Sequence, residues 1–352
     1  MSQPILEVDD LHTRFSTHEG TVHAVNGVSF TIDQGEIVGI VGESGSGKSV
    51  TALSLMRLEN PGRIVDGSIR FQGTELTTAS SREIRRLRGG GMSMVFQDPM
   101  TTLNPVFTVR DQIIESLKIH EKPNSQSLLD FLNAPLFSSR SEQKRKGERA
   151  VELMEQVGIP HPAERADAYP HEFSGGMRQR AMLAIALASE PDLLIADEPT
   201  TALDVTIQAQ ILRELKTLNE THGMSILMVT HDLGVVSEVC DRVIVMYGGE
   251  VMETGTTDEV LSDPKHPYTK ALLDCMPQNT KRKEPLNVIE GQVPDMVGGT
   301  TGCPFADRCS HTTNACTNGP IAEHDVGSDR VVKCDEIEFV ANAGVASSGD
   351  AE

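Results

Sequence analysis

A glycine-rich segment near the start of the chain has the composition and spacing of a phosphate-binding loop. Its sequence from residue 42 to residue 49 is Gly-Glu-Ser-Gly-Ser-Gly-Lys-Ser. It follows the apolar run 36–41 and precedes 50–56, whose apolar residues have helical spacing. A strand, a glycine-rich turn and a helix bring backbone N–H groups and the helix dipole together on an anion. The segment therefore predicts binding of a nucleoside triphosphate, with an ordinary Gly/Ser turn as the alternative.

Each residue type in this loop suits phosphate binding. The glycines let the backbone turn tightly and approach the phosphates. The lysine side chain reaches the β- and γ-phosphates, and the final serine hydroxyl is a magnesium ligand. We therefore assign the whole run to the nucleotide site: Gly42, Glu43, Ser44, Gly45, Ser46, Gly47, Lys48 and Ser49.

A pair of carboxylates ends the second apolar run, residues 193–196. The carboxyl end of a strand in an open parallel sheet is the usual location of catalytic groups. Asp197 is predicted to hold the magnesium ion, and Glu198 to act as the general base that polarises the attacking water. The alternative is a solvated acidic pair at the start of a helix.

Together with this loop, further segments in chain order resemble the motifs of ATP-binding cassette (ABC) ATPases. They are a glutamine loop at 95–99, a signature motif at 174–180 in its Met-Arg-Gln-Arg variant, an aspartate loop at 201–204 and a switch histidine at 229–232. The resemblance covers residues 1 to about 340. It implies that the nucleotide is ATP, used with Mg²⁺.

The resemblance also implies roles for individual residues. Gln97 contacts the magnesium–water network and senses a transmembrane partner, so Gln97, Ser49 and Asp197 form the magnesium set. His231 contacts the γ-phosphate, which gives the catalytic set Glu198, His231 and Gln97. The segment Ser174, Gly175 and Gly176 contacts the nucleotide of an opposite subunit, so a complete site needs two cassettes. Asp204 belongs to the nucleotide site, and Phe15 is the candidate for stacking on adenine, with a core position as its alternative.

The fold implied by the resemblance is an α/β cassette. It has a RecA-like core with a parallel sheet, an antiparallel β subdomain and a helical subdomain at about 98–172. Alternating apolar residues over 5–35 predict the antiparallel sheet. Parallel strands are predicted at 36–41, 92–96, 193–197, 226–229 and 243–246. The predicted domains are the cassette (1–262), a small extension (263–340) and a disordered tail (341–352).

Composition excludes one class of partner. The formal net charge is −20, and only 11 of the 31 basic residues are lysine. A nucleic-acid surface needs clustered positive charge, so we expect no nucleic-acid partner. We expect no signal peptide, and the apolar runs are too short to span a bilayer, so a membrane role must act through a partner.

The end of the chain narrows the resemblance. His-Pro-Tyr-Thr at 266–269 and the segment 302–309 resemble the C-terminal extension of ATPases from dipeptide, oligopeptide and nickel importers. This implies a peripheral protein at the cytoplasmic face of the cell membrane. Its partners would be two permeases, a second ATPase that is a paralogue, and an extracytoplasmic solute-binding protein. The alternatives are import of another solute, a soluble ABC ATPase without a transport role, or a redox module with degenerate hydrolysis.

Four of the six cysteines lie in this extension, at positions 303, 309, 316 and 334. The extension has few large apolar residues, and small modules of that kind usually need disulfides or a bound metal for stability. Disulfides are rare in the cytosol, which favours a four-thiolate metal site. Zinc commonly uses short Cys-x-x-Cys pairs. The spacing here is wider, and some of the resembling ATPases carry a [4Fe–4S] cluster at the matching cysteines. We expect a structural iron–sulfur cluster, with zinc, disulfides or free thiols as alternatives.

Overall fold

The computed structural model describes residues 4–88, 90–97, 102–121, 140–201, 204–276, 287–327 and 329–336. The strands of these residues, in chain order, are β1 (Leu6–Thr17), β2 (Gly20–Ile32), β3 (Ile37–Val41), β4 (Arg63–Phe71), β5 (Thr74–Glu75), β6 (Met92–Val95), β7 (Leu193–Asp197), β8 (Ser225–Thr230), β9 (Arg242–Tyr247), β10 (Glu250–Thr256), β11 (Glu323–Gly327) and β12 (Arg330–Lys333).

Helices alternate with these strands. In chain order they are α1 (Lys48–Leu55), α2 (Ser81–Leu87), α3 (Val109–Glu121), α4 (Arg140–Gln156), α5 (Pro162–Arg165), α6 (Gly175–Leu187), α7 (Val205–His222), α8 (Leu233–Val239), α9 (Thr257–Ser262), α10 (Pro267–Asp274) and α11 (Asn314–Thr317). Short 3-10 turns cover Pro170–Glu172 and Ala306–Arg308. The predicted tail at 341–352 and parts of the glutamine and aspartate loops (98–99 and 202–203) lie outside the described residues.

The chain folds as two compact units, Met1–Thr78 with Met228–Glu352, and Ala79–Leu227. The first unit contains an antiparallel sheet of order β2-β1-β4-β5. Its central pairing runs from Leu6 opposite Ile32 to Thr17 opposite Gly20. Apolar side chains alternate along these strands because successive residues face opposite sides of a sheet. The antiparallel sheet predicted for 5–35 is confirmed.

A second sheet of the first unit carries the phosphate-binding loop. Its strands follow the order β11-β12-β10-β9-β3-β8, and β8 contributes its residues from Met228 onward. Strands β3 and β9 pair in parallel, with Val38 opposite Arg242 and Val41 opposite Val245. All five residues of β3 are buried, which explains why its sequence, Ile-Val-Gly-Ile-Val, contains no polar side chain.

The C-terminal extension is part of this second sheet. Strand β12 pairs antiparallel with β10, placing Val332 opposite Glu253. Arg330 of β12 donates to the fully buried Glu253 carboxylate at 2.5 Å. Glu253 also accepts from the backbone N–H groups of Lys265 and His266. The extension is therefore joined to the cassette by main-chain pairing and by a satisfied buried ion pair.

The second unit contains β6 and β7, paired in parallel with Met92 opposite Leu193. Helices α3, α4 and α6 pack against one another there, and α6 also packs on β6. The small and apolar side chains of α6, such as Ala181, Leu183 and Ala184, are completely buried. This unit therefore holds the strand that ends in the two predicted carboxylates and the helix that follows the predicted signature motif.

Within the described ranges, no helix has the length and apolar character needed to cross a bilayer.

Candidate functional site

The phosphate-binding loop joins the end of β3 to the start of α1 in the first unit. Gly47 has φ 99°, and a Cβ there would lie 2.4 Å from the Ala24 carbonyl oxygen, so only glycine fits. Gly45 has φ 83°, and nothing lies within 4 Å of its Cβ position. The loop is packed against the protein at Gly47 and open at Gly45, which leaves an open side for an anion.

The Lys48 side chain hydrogen-bonds back to the loop that precedes it. Its side chain is 5% exposed, and its ammonium group donates to the carbonyl oxygens of Gly42 and Glu43, each at 2.8 Å. The hydroxyl of the buried Ser46 lies 3.4 Å from the same nitrogen. A full positive charge is therefore fixed against the loop, where it attracts phosphate oxygens. Ser44 is exposed, and the half-buried Ser49 follows Lys48 in the first turn of α1.

Two residues of the C-terminal extension also contact the loop, and neither was predicted to belong to the site. The Tyr268 hydroxyl accepts a hydrogen bond from the Glu43 backbone N–H at 2.8 Å. The Arg308 guanidinium pairs with the Glu43 carboxylate at 2.9 and 3.1 Å. Both lie in the segments that resembled importer ATPases, and that resemblance was the only sequence signal for them.

The predicted switch histidine follows β8, the neighbour of β3 in the second sheet of the first unit. His231 is exposed. The next residue, Asp232, caps α8 by accepting from the Gly234 backbone N–H at 2.8 Å. The loop and His231 thus both directly follow neighbouring strands of one sheet.

The predicted carboxylates lie at the end of β7 in the second unit. Asp197 is buried, and Glu198 follows it with a positive φ of 47°. The Glu198 carboxylate accepts from the Gln97 side-chain amide at 2.8 Å and from the Thr201 hydroxyl at 2.7 Å. The structure therefore brings together the predicted general base and the glutamine-loop residue, which are separated by about a hundred positions in the chain.

The predicted signature motif forms the N-terminus of α6. Ser174 is the N-cap, and its hydroxyl accepts from the Met177 backbone N–H at 3.4 Å. A Cβ on Gly176 would lie 2.7 Å from Ile207, so this turn packs tightly against α7. Ser174 and Gly175 are exposed. This end of a 13-residue helix presents a partial positive charge to solvent, which suits binding of an anion brought by another molecule.

Two weaker assignments also have defined positions. Asp204 caps α7, accepting from the Ile207 backbone N–H at 2.9 Å. Phe15 lies in β1, and its half-buried ring lies against Gly62. Each contact accounts for the residue locally, and the nucleotide roles of both residues stay predictions.

The four extension cysteines line one small cavity of the first unit, beside the rings of His266 and Phe305. All are free thiols. Burial raises the pKa of the Cys303 thiol to about 12 and that of Cys334 to about 11. Across the described parts of the chain, no three His, Cys, Asp or Glu side chains are arranged to hold a metal ion. The expected metal site is therefore not confirmed: the thiols share a cavity without forming a finished ligand cage.

Comparison with known families identifies the cassette. The ABC transporter family profile matches residues 25–201, half of the chain. The chain belongs to the ABC transporter family. A second profile, the oligopeptide/dipeptide transporter C-terminal region, matches residues 252–316. This chain is accordingly an ABC ATPase, and the family uses ATP with Mg²⁺.

Individual relatives agree with this assignment. The dipeptide transport ATP-binding protein DppD of Haemophilus influenzae is 45% identical over 331 residues, covering 94% of each chain. The oligopeptide transport ATP-binding protein OppD of Bacillus subtilis is 50% identical over 310 residues, covering 87% of this chain and 82% of OppD. Both relatives extend over the cassette and most of the C-terminal extension.

Solved structures confirm the cassette fold. The dimeric ATP-binding cassette MJ0796, in a post-hydrolysis state with ADP and Pi, matches with a TM-score of 0.61 and 26% identity, covering 72% of this chain and 98% of its own. The Clostridium perfringens protein cbiO1, part of the transporter complex cbiONQ, matches with a TM-score of 0.59 and 28% identity, covering 74% of this chain and 92% of its own.

Proposed function

We propose that this ABC ATPase hydrolyses ATP to energise the import of dipeptides or oligopeptides through a membrane transporter. The observation that carries the proposal is the match of residues 252–316 to the oligopeptide/dipeptide transporter C-terminal region. Relatives named for dipeptide and oligopeptide transport support the same cargo class. Nickel, another cargo of the resembling importers, is the secondary candidate.

Binding of the nucleotide falls to the loop between β3 and α1. The backbone N–H groups beside the open face at Gly45, the ammonium of Lys48 and the N-terminus of α1 attract the β- and γ-phosphates. A magnesium ion bound with the nucleotide would neutralise part of the phosphate charge. The Ser49 hydroxyl, the Asp197 carboxylate and the Gln97 side chain are hard oxygen donors of the kind that Mg²⁺ prefers, so we assign its coordination to them.

Proton transfer falls to Glu198. Its carboxylate is fixed by Gln97 and Thr201, so it can orient a water molecule and accept its proton as that water attacks the γ-phosphate. We assign His231 to contact with the γ-phosphate, because it is exposed and directly follows β8, the neighbour of the strand that leads into the loop. We assign Ser174, Gly175 and Gly176 to the nucleotide bound by a second ATPase, because that exposed helix end suits an anion from another molecule.

The proposed assembly contains two membrane permeases, a second ATPase that is a paralogue, and a solute-binding protein outside the cell. The ATPase would lie at the cytoplasmic face of the membrane. The exposed signature end of α6 supports pairing with a second cassette, and the dimeric state of MJ0796 provides a precedent within the fold.

We also propose a structural four-thiolate centre at Cys303, Cys309, Cys316 and Cys334, with an iron–sulfur cluster favoured over zinc. Thiolates are ligands that both kinds of centre use, and the four thiols line one cavity, although their present arrangement does not form a ligand cage. The His311 backbone N–H lies 3.4 Å from the Cys309 sulfur, a contact that stabilises a thiolate. Anaerobic purification with metal analysis and visible absorption tests this centre. A colourless, metal-free chain with four reactive thiols and a folded extension would exclude it.

Transport in reconstituted vesicles tests the proposed function. The chain is co-expressed with two candidate permeases and a candidate second ATPase from the same genome, and the complex is placed in vesicles with a solute-binding protein. We expect ATP-dependent uptake of a labelled dipeptide, and uptake should stop in the Glu198→Gln complex. Uptake of a different solute, with no response to peptides, would refute the cargo assignment and leave the ATPase assignment intact.

A further inference from the structure

Arg308 of the C-terminal extension makes an unusually complete set of contacts. Its side chain is 6% exposed. Nη1 donates to Glu43 Oε1 at 2.9 Å and to the Tyr247 hydroxyl at 3.0 Å. Nη2 donates to Glu43 Oε2 at 3.1 Å and to the Ile289 carbonyl at 3.0 Å, and Nε donates to the Glu290 carbonyl at 2.8 Å. Guanidinium has five N–H donors, and each one has an acceptor here.

Aromatic rings fix the plane of this guanidinium. Its central carbon lies 5.7 Å from the Tyr247 ring centroid and 5.9 Å from that of Phe305. The Tyr268 ring packs on both of these rings, with centroids 4.6 Å from Tyr247 and 5.1 Å from Phe305. A stacked, fully hydrogen-bonded arginine of this kind has one geometry and little freedom to move.

Glu43, the partner of Arg308, lies inside the phosphate-binding loop. Its backbone carbonyl accepts from Lys48 Nζ, and its backbone N–H donates to the Tyr268 hydroxyl. Its side chain is 29% exposed, and its carboxylate pairs with Arg308 through both oxygens. The extension therefore holds the second residue of the loop by its side chain and its main chain, while the phosphate-binding lysine holds the same residue from the other side.

We infer that Arg308 is a positioning residue for the nucleotide site, which fixes Glu43 and neutralises its charge beside the bound phosphates. This inference rests on nucleotide binding by the loop. An unpaired carboxylate in that position would repel the triphosphate, because like charges a few ångströms apart in a partly buried site interact strongly. It would also be free to turn toward the open face of the loop. Pairing with Arg308 removes both effects.

Nucleotide affinity of the full-length chain tests this role. The probes are the magnesium complexes of the non-hydrolysable analogue AMP-PNP and of ADP. We expect Arg308→Ala to raise the dissociation constant for AMP-PNP by about tenfold, and that for ADP by a smaller factor, because repulsion grows with phosphate charge. The loss should shrink in 0.5 M salt, which screens exposed charges. Arg308→Lys should fall in between, since lysine keeps the charge and loses the two-point pairing.

A second substitution separates charge from folding. In Arg308→Ala with Glu43→Gln, the unpaired charge is gone, and affinity should return to within about threefold of wild type. The matched control is Arg330→Ala, because Arg330 is another buried extension arginine, paired with Glu253 and the Asp263 carbonyl. It should lower the melting temperature and leave nucleotide affinity within about twofold of wild type.

Three results would overturn the inference: wild-type affinity in Arg308→Ala, no recovery on adding Glu43→Gln, or an equal loss of affinity in Arg330→Ala. A wild-type chain that binds neither nucleotide would instead refute the function proposed for the loop, and the inference with it. Binding by wild type with no effect of Arg308→Ala refutes the inference alone.

Discussion

Glu198 is held in a position that its backbone does not favour. A non-glycine residue with φ 47° lies in the left-handed region, which costs about 1–3 kcal/mol in comparable cases. The cost is tolerated here because the carboxylate gains hydrogen bonds from Gln97 and Thr201. Such a turn directs the side chain away from the path of the preceding strand, which is what a general base at a strand end requires.

Replacing the proposed general base, Glu198, while keeping its shape gives the first prediction. Glu198→Gln should reduce steady-state ATP hydrolysis at least 100-fold, because the amide cannot accept the proton of the attacking water. Binding of MgATP should remain, and the closed dimer should accumulate. Phosphate release, nucleotide titration and size-exclusion chromatography check the three parts. Glu220→Gln, an exposed carboxylate on α7, is the matched control. Hydrolysis at the wild-type rate in Glu198→Gln would rule out the general-base role.

Ser174 gives the second prediction. Ser174→Arg should abolish cooperative hydrolysis in the assembled complex, because the bulky cation blocks the exposed end of α6 that is assigned to the opposite nucleotide. Nucleotide affinity of the isolated chain should stay within about twofold. Loss of the cap costs about 0.5–2 kcal/mol of folding stability, so the melting temperature should fall modestly. Ser81→Arg, at an exposed first turn of α2, controls for the added charge. Collapse of binding in the isolated chain would contradict the trans role.

Most residues of the candidate site could be proposed from the sequence. The residues of the C-terminal extension that contact the loop could not. The loop and the carboxylates could be proposed from the residues themselves, because their chemistry is set by short, contiguous spacing, whereas the role of His231 followed from the resemblance to ABC ATPases. Arg308 could not be assigned in the same way, because its partner Glu43 lies 265 positions earlier. Nothing in the local sequence of an arginine says which carboxylate the fold will bring to it.

At the scale of elements, Arg180 shows how a motif residue also builds the fold. It lies in α6 and is almost completely buried. Its Nη1 donates to the Val157 carbonyl at 3.1 Å and to the Gly158 carbonyl at 2.5 Å, just beyond the end of α4. It also pairs with Glu214 of α7 at 2.9 Å. One side chain thus ties the signature helix to two other helices of the second unit.

Removing this side chain gives the third prediction. Arg180→Ala should lower the free energy of unfolding by about 3–5 kcal/mol, because it leaves Glu214 buried without its partner and two carbonyls without a donor. Urea denaturation checks the value. Arg178→Ala, two positions earlier and half-buried against the Pro170 carbonyl, is the comparison and should cost about 1 kcal/mol. Equal losses in both variants would show that Arg180 does not join these helices.

Elements were predictable where local pattern determines them. Strands β3, β7, β8 and β9 are dominated by apolar residues, with polar residues only at their ends, as expected of strands buried on both faces. Strand β11 is different: all five of its residues, Glu-His-Asp-Val-Gly, are exposed. Its existence depends on pairing with β12, which in turn pairs with β10 about 80 residues earlier in the chain. Such pairing depends on the folded molecule, so β11 shows no alternation of apolar and polar residues that would predict a strand.

At the scale of the molecule, the C-terminal extension is integrated into the first unit. Its strand β12 extends the sheet that carries the phosphate-binding loop, and Arg308 reaches the loop itself. The cysteine cavity lies directly beside this contact. Arg308 precedes Cys309 in the chain, and the Phe305 ring both lines the cavity and packs against the Arg308 guanidinium. We therefore expect the packing of the side chains around the cavity to be coupled to the position of Glu43.

This coupling gives the fourth prediction. Replacing Cys303, Cys309, Cys316 and Cys334 with serine should raise the dissociation constant for magnesium AMP-PNP, because the loosened cavity releases Arg308 from Glu43. Adding Arg308→Ala to that variant should cause little further loss, since two changes that act through the same contact are not additive. Calorimetric titration of the four chains (wild type, the four-serine variant, Arg308→Ala and their combination) checks the cycle. Losses that simply add would mean that the cavity reaches the nucleotide site by a route other than Arg308.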